Sequence, residues 1–138
     1  MLMKHLVRVT LLAFIAASFV SCYDRDIIDF KGLNYSLPKV SNLNYSKQEK
    51  VVTLTWEIPT AIAAEFKRPL EVDIQKVEND IYREIIVVAG EETTRDIAID
   101  PAKTYRFVVK LSGYLTDEAR IEGRSERYYS EAEVIEIK

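Results

Sequence analysis

Val51-Val52-Thr53-Leu54-Thr55-Trp56-Glu57-Ile58-Pro59 alternates large apolar residues with threonine and glutamate until a proline ends the run. A period of two sends Val52, Leu54 and Trp56 to one face and Thr53, Thr55 and Glu57 to the other, the pattern of a strand with one buried and one wet face. Tyr105, Phe107, Val109 and Leu111 repeat the alternation against Arg106, Val108 and Lys110. Between these two segments, Leu70, Val72 and Ile74 follow Pro69 as inward residues, with Glu71, Asp73 and Gln75 outward. Glu78-Asn79-Asp80 is a turn, so the β-branched run Ile81–Val88 pairs back as a hairpin. Gly90-Glu91-Glu92 supplies another turn, and Ile97 and Ile99 mark a short strand that Asp100-Pro101 stops. A last strand runs from about Ala132 to Ile137. Its phase conflicts, with Ala132 and Val134 on one face and Ile135 and Ile137 on the other, which predicts a bulge. Short strands between turns, with no long helical period, predict an all-β sandwich.

The N-terminus reads differently. Lys4, His5 and Arg8 precede an apolar run from Val9 to Val20, then the small residue Ser21 and Cys22. The run falls short of the ~20 residues of a membrane span and has the flanks of a secretory signal. A lipoprotein signal, an ordinary signal and an uncleaved anchor are the three readings, and the cysteine favours the first. Phe19-Val20-Ser21-Cys22 resembles a bacterial lipobox, with Phe19 where leucine is usual. The resemblance implies removal of residues 1–21 and acylation of Cys22 by palmitate-type chains. It also disposes of a free thiol that would be reactive in an oxidising compartment, and two or more chains give a stable membrane anchor.

Cleavage leaves 138 − 21 = 117 residues, a length for one domain. It removes two of 19 basic residues and none of 22 acidic ones, so the formal charge becomes 17 − 22 = −5. The only histidine, His5, leaves with the signal. A chain with no imidazole and a lipid-blocked thiol cannot build Ser-His-Asp or Cys-His nucleophile systems, nor imidazole or thiolate metal sites. No disulfide can form, and apolar packing must hold the fold. No cofactor is expected, and the scattered basic residues argue against nucleic acid as a partner.

Residues 22–37 read as an acidic tether carrying Asp24, Asp26 and Asp29. The spacing lacks the glycine and bidentate glutamate of a calcium loop, so no metal is expected. An acidic cluster behind an acylated cysteine resembles the export signal of surface lipoproteins in Bacteroidota-type bacteria. That resemblance implies an outer-membrane location with residues 38–138 facing the cell exterior.

Pro38-Lys39-Val40-Ser41-Asn42-Leu43 followed by Val52–Pro59 resembles the first two strands of a fibronectin type III domain. Ile99-Asp100-Pro101-Ala102-Lys103-Thr104-Tyr105 is similar to the turn before that family's sixth strand, and Gly123-Arg124-Ser125 to the Gly-x-Ser before its last. The resemblance implies a seven-stranded antiparallel immunoglobulin-like sandwich, with Trp56 between the sheets and Tyr105 as a corner residue bonded to backbone. The family is a scaffold with many roles, and similar domains occur as spacers in glycan-uptake lipoproteins. Two loops are longer than usual for it, from Pro59 to Arg68 and from Leu111 to Ser130.

Those loops hold the candidate sites. Ile62 and Phe66 lie four apart, so one helical turn puts them on one face. They either cap the sandwich or form an apolar lip for an outer-membrane protein partner. Tyr114, Arg120, Arg124, Arg127, Tyr128 and Tyr129 combine the residue types enriched in recognition surfaces. They either bind a polysaccharide or other ligand, or form cross-strand pairs of an extended hairpin. For catalysis only carboxylates remain: Glu57, Asp73, Glu92, Asp96, Asp117 and Glu118. None sits in a pocket-forming motif, so a glycoside hydrolase is a remote alternative and a non-catalytic binding or assembly module is the expectation.

Overall fold

The computed structural model describes residues 35–120 and 127–138, and these form eight strands. They are β1 (Ser41–Lys47), β2 (Val51–Glu57), β3 (Glu71–Glu78), β4 (Ile81–Val88), β5 (Thr94–Ala98), β6 (Tyr105–Tyr114), β7 (Arg127–Tyr129) and β8 (Glu133–Ile137). A three-stranded sheet has the order β1-β2-β5. The second sheet has the order β4-β3-β6, with β7 and β8 both pairing β6, and every strand pair is antiparallel.

Alternation places the core. Val52, Leu54 and Trp56 from β2 meet Val72 and Ile74 from β3 and Phe107, Val109 and Leu111 from β6 in one cluster, each 3% exposed or less. The layers therefore share a single apolar interior. Asn79 and Asp80, at φ of 48° and 62°, form the two-residue connection between β3 and β4. Two left-handed residues make the turn that matches strand twist, and asparagine and aspartate tolerate it best after glycine.

Four expectations change. The stretch from Leu111 to Ser130, expected as a loop, contributes a further strand, β7; between the pairs Ser112↔Tyr129 and Val109↔Glu133 three residues oppose two, and that extra residue divides β7 from β8. Seven expected strands become eight with the addition of β7. No bulge falls within β8, whose pairing with β6 is regular from Glu133 to Ile137; Ile135 and Ile137 pack on the core, and Ala132 and Val134 are simply exposed apolar residues. Tyr35 and Leu37, expected in the tether, belong to the folded domain: Leu37 is 5% exposed within the core and Tyr35 packs against it. Residues 22–34 and Cys22 lie outside the described residues. Finally, Asp73 is not a wet outward residue but is 7% exposed.

Candidate functional site

The outer face of the second sheet explains the burial of Asp73. Arg127 on β7 lays its guanidinium across β6 toward β3. Its Nη2 lies 2.5 Å from Glu71 Oε2, 2.9 Å from Asp73 Oδ1 and 2.8 Å from Ser112 Oγ. The Ser112 hydroxyl in turn donates to Asp73 at 3.0 Å. The guanidinium carbon is 5.8 Å from the Tyr114 ring centre and 5.7 Å from that of Tyr129. Register produces this layout. Ser112 opposes Tyr129 and Tyr114 opposes Arg127, so all four share a face on adjacent strands.

Burial works against the Arg127 charge, but the Asp73 and Glu71 carboxylates outweigh it, and the guanidinium is held above its ordinary value. The cluster carries two carboxylates to one cation. Tyr114 and Tyr129 remain 45% and 54% exposed, so the assembly ends in two aromatic surfaces open to solvent. A planar cation between exposed rings can stack on flat apolar faces of a ligand while hydroxyls at the ring edges hydrogen-bond.

Of the six candidate recognition residues, the structure brings together Tyr114, Arg127 and Tyr129. Tyr128 opposes Gly113 and turns inward, with its ring 5.6 Å from Phe66 in an edge-to-face contact, so it is not part of the exposed platform. Arg120 lies in the turn after β6, its guanidinium 3.6 Å from Asp117. Arg124 falls outside the described residues. Glu71 and Ser112 were missed, and Asp73 was weighed only as a catalytic carboxylate, because period-two reading treats an outward face as solvated. A positively charged residue 54 positions downstream leaves no mark in the local pattern.

Phe66 is 2% exposed, clamped between Tyr35 and Tyr128, and Ile62 packs against the same core. The amide of Lys67 donates to Tyr114 and that of Thr116 donates to Glu65, fastening this loop to the end of β6. The exposed-lip reading is thereby corrected, and the loop caps the core. Trp56 is 3% exposed in the interior. The Tyr105 hydroxyl accepts from the Asp100 amide at 2.8 Å and donates to Glu78 at 3.1 Å.

The remaining carboxylates are placed singly. Asp96 accepts from the Thr53 hydroxyl at 2.6 Å and Glu57 from the Asn42 amide at 2.8 Å. Among the described residues no group of three or more acidic residues could hold a metal ion, and no helix is long and apolar enough to cross a membrane.

A family model described as a domain of unknown function (DUF4945) matches residues 22–137. The chain belongs to the DUF4945 family. The match takes in Cys22, the acidic segment and all eight strands. The Tyr114–Arg127–Tyr129 cluster is thus part of the DUF4945 domain, not an appendage to it. The search of curated proteins returned no match.

Proposed function

We propose that the mature chain is a lipid-anchored, fibronectin type III-like module, held at the outer membrane and facing outward, that binds a glycan without catalysis. The anchor reading is supported by the apolar run ending at Ser21-Cys22 and by a family match that begins at that cysteine. The fold type is supported by the strand orders β1-β2-β5 and β4-β3-β6-β7/β8, by Trp56 in the core and by the Tyr105 corner.

The observation that carries the binding role is the exposed pair Tyr114 and Tyr129 around Arg127. Sugar rings present flat C–H faces that stack on such surfaces. With Glu71 and Asp73 outnumbering Arg127, an uncharged polysaccharide suits the site better than an acidic one. The cluster lends no support to hydrolysis, since Asp73 is engaged by Ser112 and Arg127.

Affinity gel retardation against neutral polysaccharides tests this directly. Tyr129→Ala and Tyr114→Ala should each abolish retention, while Tyr82→Ala on β4 should leave it unchanged. Retention insensitive to both cluster substitutions, or absent across a broad glycan array, would remove the glycan reading.

A further inference from the structure

A strand at the rim of a sheet leaves alternate backbone N–H and C=O groups without a strand partner, and stable proteins disarm such rims. The described residues include four. The pairing of β1 is irregular between Ser41 and Asn44, where Asn42 sits at φ 50°. β5 has five residues and carries Arg95 and Asp96. The β7/β8 rim is broken by its bulge.

β4 is disarmed over only half its length. Its pairing with β3 shifts between the Tyr82 and Glu84 positions, leaving Arg83 as the extra residue beside a second charge. From Ile85 to Val88 the strand is regular, uncharged and entirely β-branched. Ile85 and Val87 are 48% and 44% exposed on the outer face, and β3 is the one strand that pairs with β4 among the described residues.

We propose that this half of β4 pairs antiparallel with the same segment of a second copy, about a two-fold axis at Ile86, joining two five-stranded sheets into one. The axis stands perpendicular to the sheet, so opposed residues must share a face and their numbers must sum to an even value. An axis at Ile86 sets Ile85 against Val87 of the second copy, and Val87 against Ile85, forming a four-residue apolar patch on the outer face. An axis at Glu84 would oppose like carboxylates, and one at Ile85 would set Arg83 against Val87. An axis at Val87 would run the pairing into the turn at Gly90, which sits at φ 75°. The segment is its own best complement, which is why a second copy is the occupant.

Pairing about Ile86 spans Glu84 to Val88, five residues a side with Glu84 opposite Val88 at each end, a contact smaller than the ~1,200 Å² of stable complexes, so the association is weak in solution. Confinement of many copies on one surface raises its occupancy; that last point alone rests on the anchor proposed above.

Sedimentation equilibrium of the full chain in density-matched detergent, over a concentration series, reads the association. A monomer–dimer equilibrium is expected, weakened roughly tenfold or more by Val87→Lys and by Ile85→Lys, because lysine on a rim opposes pairing. Both positions are exposed, and unchanged circular dichroism verifies that each variant folds. Thr94→Lys on the β5 rim should leave the equilibrium intact. Under mild oxidant, Ile86→Cys should link to itself, since directly opposed Cα atoms at ~4.5–5.5 Å fall within disulfide range. A monomer at every concentration, a dimer indifferent to both lysines, or a dimer lost with Thr94→Lys would overturn the proposal. A dimer whose Ile86→Cys variant fails to cross-link would overturn the register.

Discussion

Tyr105 shows how much one side chain can hold. Its hydroxyl joins the Asp100 amide to Glu78, whose carboxylate also accepts from Lys103 Nζ at 2.9 Å and lies 3.3 Å from Arg83. Tyr105→Phe leaves the buried end of this network short of one donor and one acceptor, so a loss of about 1–3 kcal/mol is expected from denaturant unfolding. The pH dependence has two limbs. The Glu78 carboxyl is lowered, first by the Lys103 hydrogen bond. Its contribution is therefore present above the usual carboxylate range and lost as pH falls below it. Tyr105 is raised, chiefly by burial. Its contribution is present below the ordinary value of 10.0 and declines as pH rises past it. Thermal unfolding across pH should show both declines, with the alkaline one flattened in Tyr105→Phe. At Gly113 the constraint is space: an added Cβ would stand 2.6 Å from Cδ2 of Leu70, a residue with no solvent exposure. Gly113→Ala should cost about 1–3 kcal/mol through overpacking, unlike an alanine at Gly90, where nothing lies within 4 Å and the strain comes from φ instead.

Among the elements, the β3–β4 connection and the β7 strand depend on different forces. Asn79 holds its turn by accepting from the Thr104 amide at 3.0 Å, which ties the hairpin to the start of β6. Asp80 has no comparable role. Its partner Arg106 is 3.6 Å away and its side chain is 92% exposed, so the ion pair contributes little. Asp80→Gly should therefore stabilise the domain by about 0.5 kcal/mol, because Asn-Gly suits a turn with two positive φ values better than Asn-Asp. A lower unfolding midpoint would contradict this. β7 is three residues long and is fastened to the sheet by Arg127 as well as by its ladder. Arg127→Ala would strand the Asp73 carboxylate with Ser112 alone, at a cost of about 3 kcal/mol, the low end for a broken buried pair because the guanidinium is 23% exposed. Arg127→Lys should recover part of it, having the charge without the planar fork. Chemical denaturation of the two variants side by side distinguishes charge from geometry.

For the whole molecule, acylation at Cys22 joins a histidine-free domain to a membrane in the proposed reading. Cys22→Ala should abolish incorporation of labelled palmitate and release the protein from the membrane fraction. Digestion of intact cells with a protease that cannot enter the periplasm should remove the parent protein if it faces outward. Retention of Cys22→Ala in membranes without label would point to a different attachment. Because the domain itself is stabilised by packing and not by cross-links, the released variant should unfold at the same denaturant concentration as the parent.

Alternation over Val52–Trp56 and Tyr105–Leu111 was legible in the chain because a strand with one buried face writes a period of two into neighbouring residues. The turn at Asn79-Asp80 was legible for the same local reason, whereas the bulge expected inside the last strand is absent, because exposed Val134 misled the phase. The sequence by itself determined the all-β class and the inward residues of its clearest strands. Tertiary structure alone decided that Phe66 is a core residue clamped by Tyr35 and Tyr128, that Asp73 is buried, and that Arg127 stands between Tyr114 and Tyr129. Those contacts join residues up to 62 positions apart, 66 to 128 among them. Strand order and register bring them together, and neither is written in the spacing of any one segment.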